Sequence, residues 1–534
     1  MTKGVTLRQL LAFDEGGILQ LLLAPAGRDV NVEGMIIGDE GPAHPHEGRI
    51  VLAAGPFHSG GAATVSIREA ARRGATAVVV RVDDAFPADA IAAAREAGIA
   101  LLARADWTDW DDVATLLRSA AAYAEAGRGD RMADATAGGG LAALASVVAE
   151  FTGGSITIED TQFRVLAHSA TGPEADELRR STILGGRVPD WRVEELRRSG
   201  LLRALWTSDD VIHRPADGGI PERLIVAIRS GREMLGSIWV AADGRSLTAN
   251  AAKALSRAAE VAVPYLVQHR LRESCAVRRE EHALRGLLGG HGDRSVHAWS
   301  LGLSSEASCA VVVAEHDGPY DALADRTLDV LAMQAASYRR TVRVLRESDR
   351  VLALLPVDGG NDREALGLAR ELDVLAASMP GGGTVWAGAG SVVPSPLLAA
   401  VSREEATLVV RVLRDREAAG RNPQRVRHGG VAEAGLTLDV LRVLDVVRPV
   451  WEKGGGPVHE LIHTDLAAGG DLVRSISAYL DASGDIGRAA RRLVLHPNTL
   501  RYRLRRARER FGVDLDDPDT RLIITLAVRL VGRF

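Results

Sequence analysis

LVRSISAYLDASGDIGRAARRLVLHPNTLRYRLRRARERF, residues 472–511, holds two short helical patterns, a tight connection and an arginine-loaded third helix. Leu472, Ile476, Tyr479 and Leu480 recur at helical spacing, so the first helix turns one apolar face inward. Ser483-Gly484 ends it. Asp485 suits the N-cap of a second helix, where its carboxylate faces the positive end of the helix dipole. Ala489 and Ala490 are small enough for a third helix to cross closely, and Leu493 points to the core. Val494, Leu495 and His496 form the connection, and Pro497 stands at a first turn, where its missing N–H has no bond to lose. Val494 is β-branched, which disfavours a positive φ. The turn is therefore expected to differ in shape from one built on glycine.

The third helix carries the chemistry. Leu500, Leu504, Ala507 and Phe511 make its buried stripe; Asn498, Arg501, Tyr502, Arg505 and Arg508 fall opposite, flanked by Thr499, Arg503 and Arg506. Between Arg488 and Arg510 the only acidic residue is Glu509, although the whole chain has a formal charge of −5. A basic face on a small helical unit within an acidic protein is an electrostatic footprint for phosphate. Asparagine and arginine also pair bidentately with adenine and guanine edges, each pair giving roughly 1–3 kcal/mol of discrimination. An ordinary solvated basic helix would show the charge without the Ala-Ala helix, the short connection and the coherent stripe. In that context the segment reads as a helix-turn-helix for double-stranded DNA, with Asn498, Thr499, Arg501, Tyr502, Arg503, Arg505, Arg506 and Arg508 as the DNA-facing residues.

The run LHPNTLRYRL, residues 495–504, resembles the C-terminal helix-turn-helix of the PucR family of bacterial transcription regulators. The similarity continues through GVDLDDP, residues 512–518, into a last helix at 519–530. More loosely, Arg488-Ala489-Ala490 and Thr499-Leu500-Arg501 are similar to the DNA-binding end of the Fis protein. The resemblance implies a ligand-responsive regulator whose upstream domains sense a small-molecule effector.

At 534 residues the chain has room for three to four domains, at roughly 150 residues each. Cys275 and Cys309 are its only cysteines, which fits a reducing cytosol and excludes a disulfide framework. No apolar run reaches the roughly 18 residues of a membrane span. The apolar run 18–26 follows Asp14-Glu15 and makes a poor signal peptide, so a cytoplasmic location without membrane contact is expected.

Upstream, residues 6–124 alternate strand-like runs (48–55, 77–82, 99–102) with helical ones (65–73, 88–97, 110–124), which predicts a parallel α/β sheet. This stretch resembles the N-terminal purine-catabolism-regulator domain of the same family, with Arg49, Ala53 and Ala54 where that family has an acidic residue and two threonines. Residues 133–140, rich in Ala and Gly, read as a linker. Hairpins are expected at 155–169, about Asp160-Thr161-Gln162, and at 224–240, about Ser230-Gly231, before a helix at 248–268. The strand LGSIWV, residues 235–240, is similar to the closing strands of GAF sensor domains. The intervening loop region, 171–217, shows no cofactor signature, and Trp191 and Trp206 there are expected to be core more than pocket lining. The charged helix 270–288 offers Leu266, Leu271, Leu284, Leu287 and Leu288 as seam positions of a signalling or dimer helix, with a broken repeat.

Residues 309–414 alternate as a ferredoxin-like domain and look like the cyclase-like, GGDEF-related domain that precedes this family's reader. Active cyclases of that fold place glycines and acidic residues in the hairpin; here it reads Glu347-Ser348-Asp349-Arg350. Gly388-Ala389-Gly390 is too short for a phosphate loop and reads as a strand-end turn. The domain is expected to be catalytically silent. His44, His46 and Glu47, with His58 beyond, have metal-binding side chains but sit in a Gly/Pro-rich loop, and a solvated loop is the preferred reading.

The chain is thus read as multidomain α/β and α+β: an α/β sensor domain (5–126), a GAF-like domain (141–268), a helical linker (269–295), a degenerate cyclase-like domain (300–415) and an all-α helix-turn-helix domain (465–534). It is expected to be a DNA-binding regulator and not an enzyme, with no catalytic residues, cofactor or metal. One helix-turn-helix reads little sequence alone, so a homo-oligomer, at least a dimer, is expected, with half-sites about one helical turn apart or a multiple of it. The alternative is a nucleotide-processing enzyme using the cyclase-like domain.

Overall fold

The structure is a computed structural model that describes residues 5–37, 45–53, 60–82, 88–126, 132, 139–172, 175–217, 220–244, 246–318, 321–358, 360–380 and 383–531. The chain divides into two units, Met1–His282 and Ala283–Phe534. Among the described residues no helix is long and apolar enough to cross a membrane.

The first unit holds two five-stranded sheets. In one, the strands run spatially in the order Leu19–Leu23, Ala100–Arg104, Ala77–Arg81, Arg49–Leu52, Gly34–Ile37. The last four are parallel, and Leu19–Leu23 is an antiparallel edge. Its central strands are buried on both faces, as parallel strands covered by helices must be. Ile50, Leu52, Val79 and Leu102 face Leu7, Leu10, Val113 and Leu116, while Val51, Val78, Val80 and Leu101 face Ile67, Ala90 and Ala94. The apolar run after Asp14-Glu15 is therefore an edge strand of this sheet.

The second sheet is antiparallel throughout, in the order Ile212–Arg214, Arg223–Ser230, Glu233–Ala241, Ser155–Asp160, Val165–His168. Both expected hairpins are present. One face packs on helices Gly140–Thr152 and Ala251–Gly289 through Ile156, Ile158, Val226, Ile238, Leu144 and Leu255. Three helices, Glu177–Gly185, Asp190–Arg198 and Leu201–Thr207, occupy what was read as a loop region at 171–217. Leu196 and Leu205 from these helices meet Ile225, Ala227 and Trp239 of the sheet. Trp191 and Trp206 are exposed, against the expectation of core. The short helices pack on the sheet through Leu196 and Leu205, and the tryptophans fall outside those contact positions.

The seam expected around 270–288 is corrected too. Leu266 is in the core of the first unit, and Leu284, Leu287 and Leu288 are in the core of the second. These four leucines are consumed by packing within their own units, and of the five only Leu271 stays partly exposed.

In the second unit the sheet order is Arg343–Arg346, Arg350–Pro356, Cys309–Asp317, Thr384–Ala389, His428–Gly430; the first four are antiparallel and the last is parallel to its neighbour. Ala310, Val312, Ala353 and Leu355 face Leu328, Leu331, Leu368 and Leu372 of helices Ala322–Tyr338 and Arg363–Ser378. Val311, Val313, Leu352 and Trp386 face Ala406, Val409 and Val410 of helix Ala399–Ala418. Gly388-Ala389-Gly390 has a packing role. A Cβ on Gly388 would stand 2.3 Å from the Ala406 carbonyl oxygen, and one on Gly390 would stand 1.9 Å from that of Ser402. The buried Ser402 hydroxyl accepts from the Val311 N–H at 2.9 Å and donates to the Ser391 carbonyl at 2.7 Å, which locks the helix to the strand.

Residues 431–464, to which the sequence assigns no domain, lie in helices Val431–Ala434, Leu436–Glu452 and Pro457–Ala467, the last of which runs on into the expected reader domain. Val458, Leu461 and Ile462 share a core with Val473, Ile476, Ala507, Phe511, Ile524 and Val528. The reader is thus built from more of the chain than its motif.

Of the histidines weighed as metal ligands, His44 and His58 lie outside the described residues, as does most of the linker at 133–140. His46 is buried, which corrects the solvated-loop reading for that side chain. Among the described residues no three metal-ligating side chains come together.

Candidate nucleic-acid interface

Helices Asp471–Asp481, Ile486–Arg492 and Pro497–Phe511 make the three-helix unit, closed by Pro518–Val531. Asp485 caps the middle helix by accepting the Arg488 N–H at 2.9 Å, and that bond holds its carboxyl below the usual carboxylate range. His496 caps the third helix, its Nδ1 accepting the Asn498 N–H at 3.2 Å, with Pro497 at the first turn. Ala489, Ala490 and Leu500 are fully buried together with Ala478 and Ala482. Two methyl groups at the crossing are what let the third helix lie against the second.

Between these helices Val494 adopts φ +56°, which overturns the expectation drawn from its β-branched side chain. The hydrogen bonding explains why. The Val494 N–H donates to the Arg491 carbonyl at 3.2 Å and the Leu495 N–H to the Ala490 carbonyl at 2.9 Å, the paired closure that requires a left-handed residue after a helix. The Val494 side chain is 91% exposed and gains little from burial. Left-handed backbone costs an L-residue roughly 1–2 kcal/mol, while glycine forfeits roughly 0.5–1 kcal/mol of chain entropy. Val494→Gly is therefore expected to stabilise the reader by roughly 0.5–1 kcal/mol, read as a higher urea midpoint with unchanged slope. A lower midpoint would remove the left-handed turn from the account.

The third helix presents Asn498, Thr499, Arg501, Tyr502, Arg505, Arg506 and Arg508 to solvent. Arg501 Nη1 donates to Asn498 Oδ1 at 2.8 Å, so these two are ordered as a pair. Arg508 reaches Asp514 at 2.9 Å. Among the described residues Arg505 and Arg506 have no acidic partner. Arg503 is different: it is half-buried, its Nη1 donating to Ser475 Oγ at 3.2 Å and its Nη2 to Asp471 Oδ2 at 3.0 Å. It ties the third helix to the first. Asp471 also takes Arg474 at 2.6 Å, and the two arginines hold its carboxyl below its ordinary range. Arg491, absent from the sequence-derived set, is exposed in the last turn of the middle helix.

A second feature escaped the sequence reading. In strand Ser155–Asp160 all six residues are buried, yet Thr157 and Glu159 alternate with Ile156 and Ile158 and face away from the main core. There they line a small cavity with Arg179, Arg192, Arg223 and Trp239. Arg223 is held by Asp176 at 2.7 Å, Arg192 by Glu195 at 2.5 Å, and Arg179 donates to Thr157 Oγ1 at 2.9 Å. Among the described residues Glu159 Oε2 finds no hydrogen-bond partner. Burial pushes the Glu159 carboxyl up to about 8, despite nearby Arg223. Polar alternation in a strand without exposed positions was the available signal.

Comparison with known proteins agrees with this geometry. Residues 472–530 match the PucR C-terminal helix-turn-helix domain, and residues 290–412 match a GGDEF-like domain. The chain is 22% identical over 384 residues, 70% of its length, to the DNA-binding transcriptional activator AdeR of Bacillus subtilis (strain 168), covering 89% of that protein. It is 39% identical over 59 residues to the purine catabolism regulatory protein of the same organism, 11% of each chain. Among solved structures, a regulator of polyketide synthase expression from Bifidobacterium adolescentis is 20% identical and matches 48% of this chain and 92% of its own, with a TM-score of 0.22, too low to bear on the fold.

Proposed function

Because the chain is a DNA-binding transcription regulator of the PucR family, we propose that it reads operator DNA through helix Pro497–Phe511 as a symmetric homo-oligomer, under the control of a small metabolite. The observation that carries this is the pre-ordered Asn498–Arg501 pair at the start of an exposed helix, ahead of two arginines with no acidic partner. Asn498, Thr499, Arg501 and Tyr502 would meet base edges; Arg505, Arg506 and Arg508 would follow phosphates. Arg503 is assigned as a positioning residue, since its guanidinium is already engaged by Asp471 and Ser475.

Operator fragments recovered by genome-wide mapping of bound DNA supply the test. Arg501→Ala and Asn498→Ala are each expected to cost roughly 1–3 kcal/mol on operator DNA and little on bulk DNA. Arg506→Ala should weaken both alike and reduce the salt slope of binding by about one. Equal losses on operator and bulk DNA for all three would defeat the assignment.

Upstream, we read residues 141–268 as GAF-like, supported by the antiparallel strand order and the long helix that follows. Residues 300–415 read as ferredoxin-like and catalytically silent. The two-three-one-four order of the four antiparallel strands supports the first point, and the glycine-free turn, filled by Arg350 paired with Asp349 at 2.8 Å, supports the second. The cavity at Glu159 has room for about one water molecule and is read as a buried polar cluster of the sheet face. A cytoplasmic location completes the reading.

A further inference from the structure

Helix Leu436–Glu452 has two apolar faces. One carries the buried Leu438, Leu441 and Leu444, the first two of them in the core of its unit. The other is exposed: Leu436 at 81%, Val440 at 47%, Val443 at 55%, Val446 at 75% and Val450 at 72%. At 100° per residue these five lie within one stripe. Among the described residues no contact in the unit covers it, and its steps of four, three, three and four residues read the same in both directions about Val443.

We propose that this face is a two-fold interface with a second copy of the chain, the helices crossing antiparallel at Val443. Laid so, Leu436 meets Val450 of the second copy, Val440 meets Val446, and Val443 meets itself. A two-fold contact demands that kind of self-matching, because residue i must meet j wherever j meets i. A partner of unrelated sequence would impose no mirror order on the spacing. The five side chains expose roughly 500 Å² per protomer, about 1,000 Å² for the pair, the lower bound of a specific interface. The same helix packs on helix Ala399–Ala418 and on the last helix of the reader, Pro518–Val531, so the axis would pass between the two readers of a dimer. The inference names the surface behind the oligomer proposed above, and its test needs no DNA.

The full chain is taken with single cysteines introduced by Val443→Cys, Leu436→Cys or Val450→Cys; the native Cys275 and Cys309 are buried. Under mild oxidation Val443→Cys is expected to give a covalent dimer, and a mixture of Leu436→Cys with Val450→Cys a covalent heterodimer. Leu436→Cys alone should give none, since antiparallel helices set the two copies of that residue about 20 Å apart, beyond disulfide reach. Val443→Asp should halve the mass measured by light scattering while leaving the far-UV circular dichroism unchanged. A Leu436–Leu436 cross-link at the level of Val443, or a Val443→Asp protein of undiminished mass, would overturn the proposal. DNA binding that fails with these cross-links intact would count against the reader alone.

Discussion

Gly390→Ala is expected to destabilise the second unit by about 3 kcal/mol or more, because its new methyl carbon would stand 1.9 Å from the Ser402 carbonyl oxygen and 2.6 Å from the Ser402 hydroxyl. Neither is the loose end of a side chain. The carbonyl belongs to helix Ala399–Ala418, and the hydroxyl is fixed between Val311 and Ser391. The helix must therefore retreat from the sheet, and it carries Leu438 and Leu441 of the following long helix with it. Urea unfolding followed by circular dichroism reads the loss directly. A midpoint within experimental error of the parent would mean that the helix and strand are not as close as described.

Glu159→Gln is expected to remove a pH dependence from the first unit. The ordinary Glu carboxyl titrates near 4.5, and burial raises this one to about 8. Between those values the folded state binds the extra proton, so stability falls as pH rises through the window and the full cost is reached above pH 8. For so buried a group the total is on the order of 3 kcal/mol, discounted for the arginines around it. Calorimetric unfolding at pH 5, 6.5 and 8 should show a decline in the parent and a nearly flat series in Glu159→Gln. The same decline in both would exclude Glu159 as its source.

The reader was legible because its physics is local. A cap at Asp485, a proline at first-turn position 497, small residues at the helix crossing and one apolar stripe are all fixed by neighbours within a few residues. The strands at 77–81 and 100–104 were legible for the same reason, as continuous apolar runs. What failed was tertiary. Val494 takes a left-handed backbone because two hydrogen bonds across the turn demand it, and no property of valine announces that. Leu284, Leu287 and Leu288 have the spacing of a seam, but a sheet from later in the chain covers them. Arg503 sits in the basic run, yet Asp471, a helix away, claims it. Glu159 received no reading from the sequence, because only tertiary packing buries every residue of its strand.

The hydrogen bond between Asn498 and Arg501 also bears on how such a protein diverges. Each side chain is held in place by the other, so on the proposed reading replacing one would leave its mate unaimed and spoil recognition of the old target before any new one is gained. Descendants with altered targets should therefore have changed both positions as a unit, and lineages that kept one should have kept its companion.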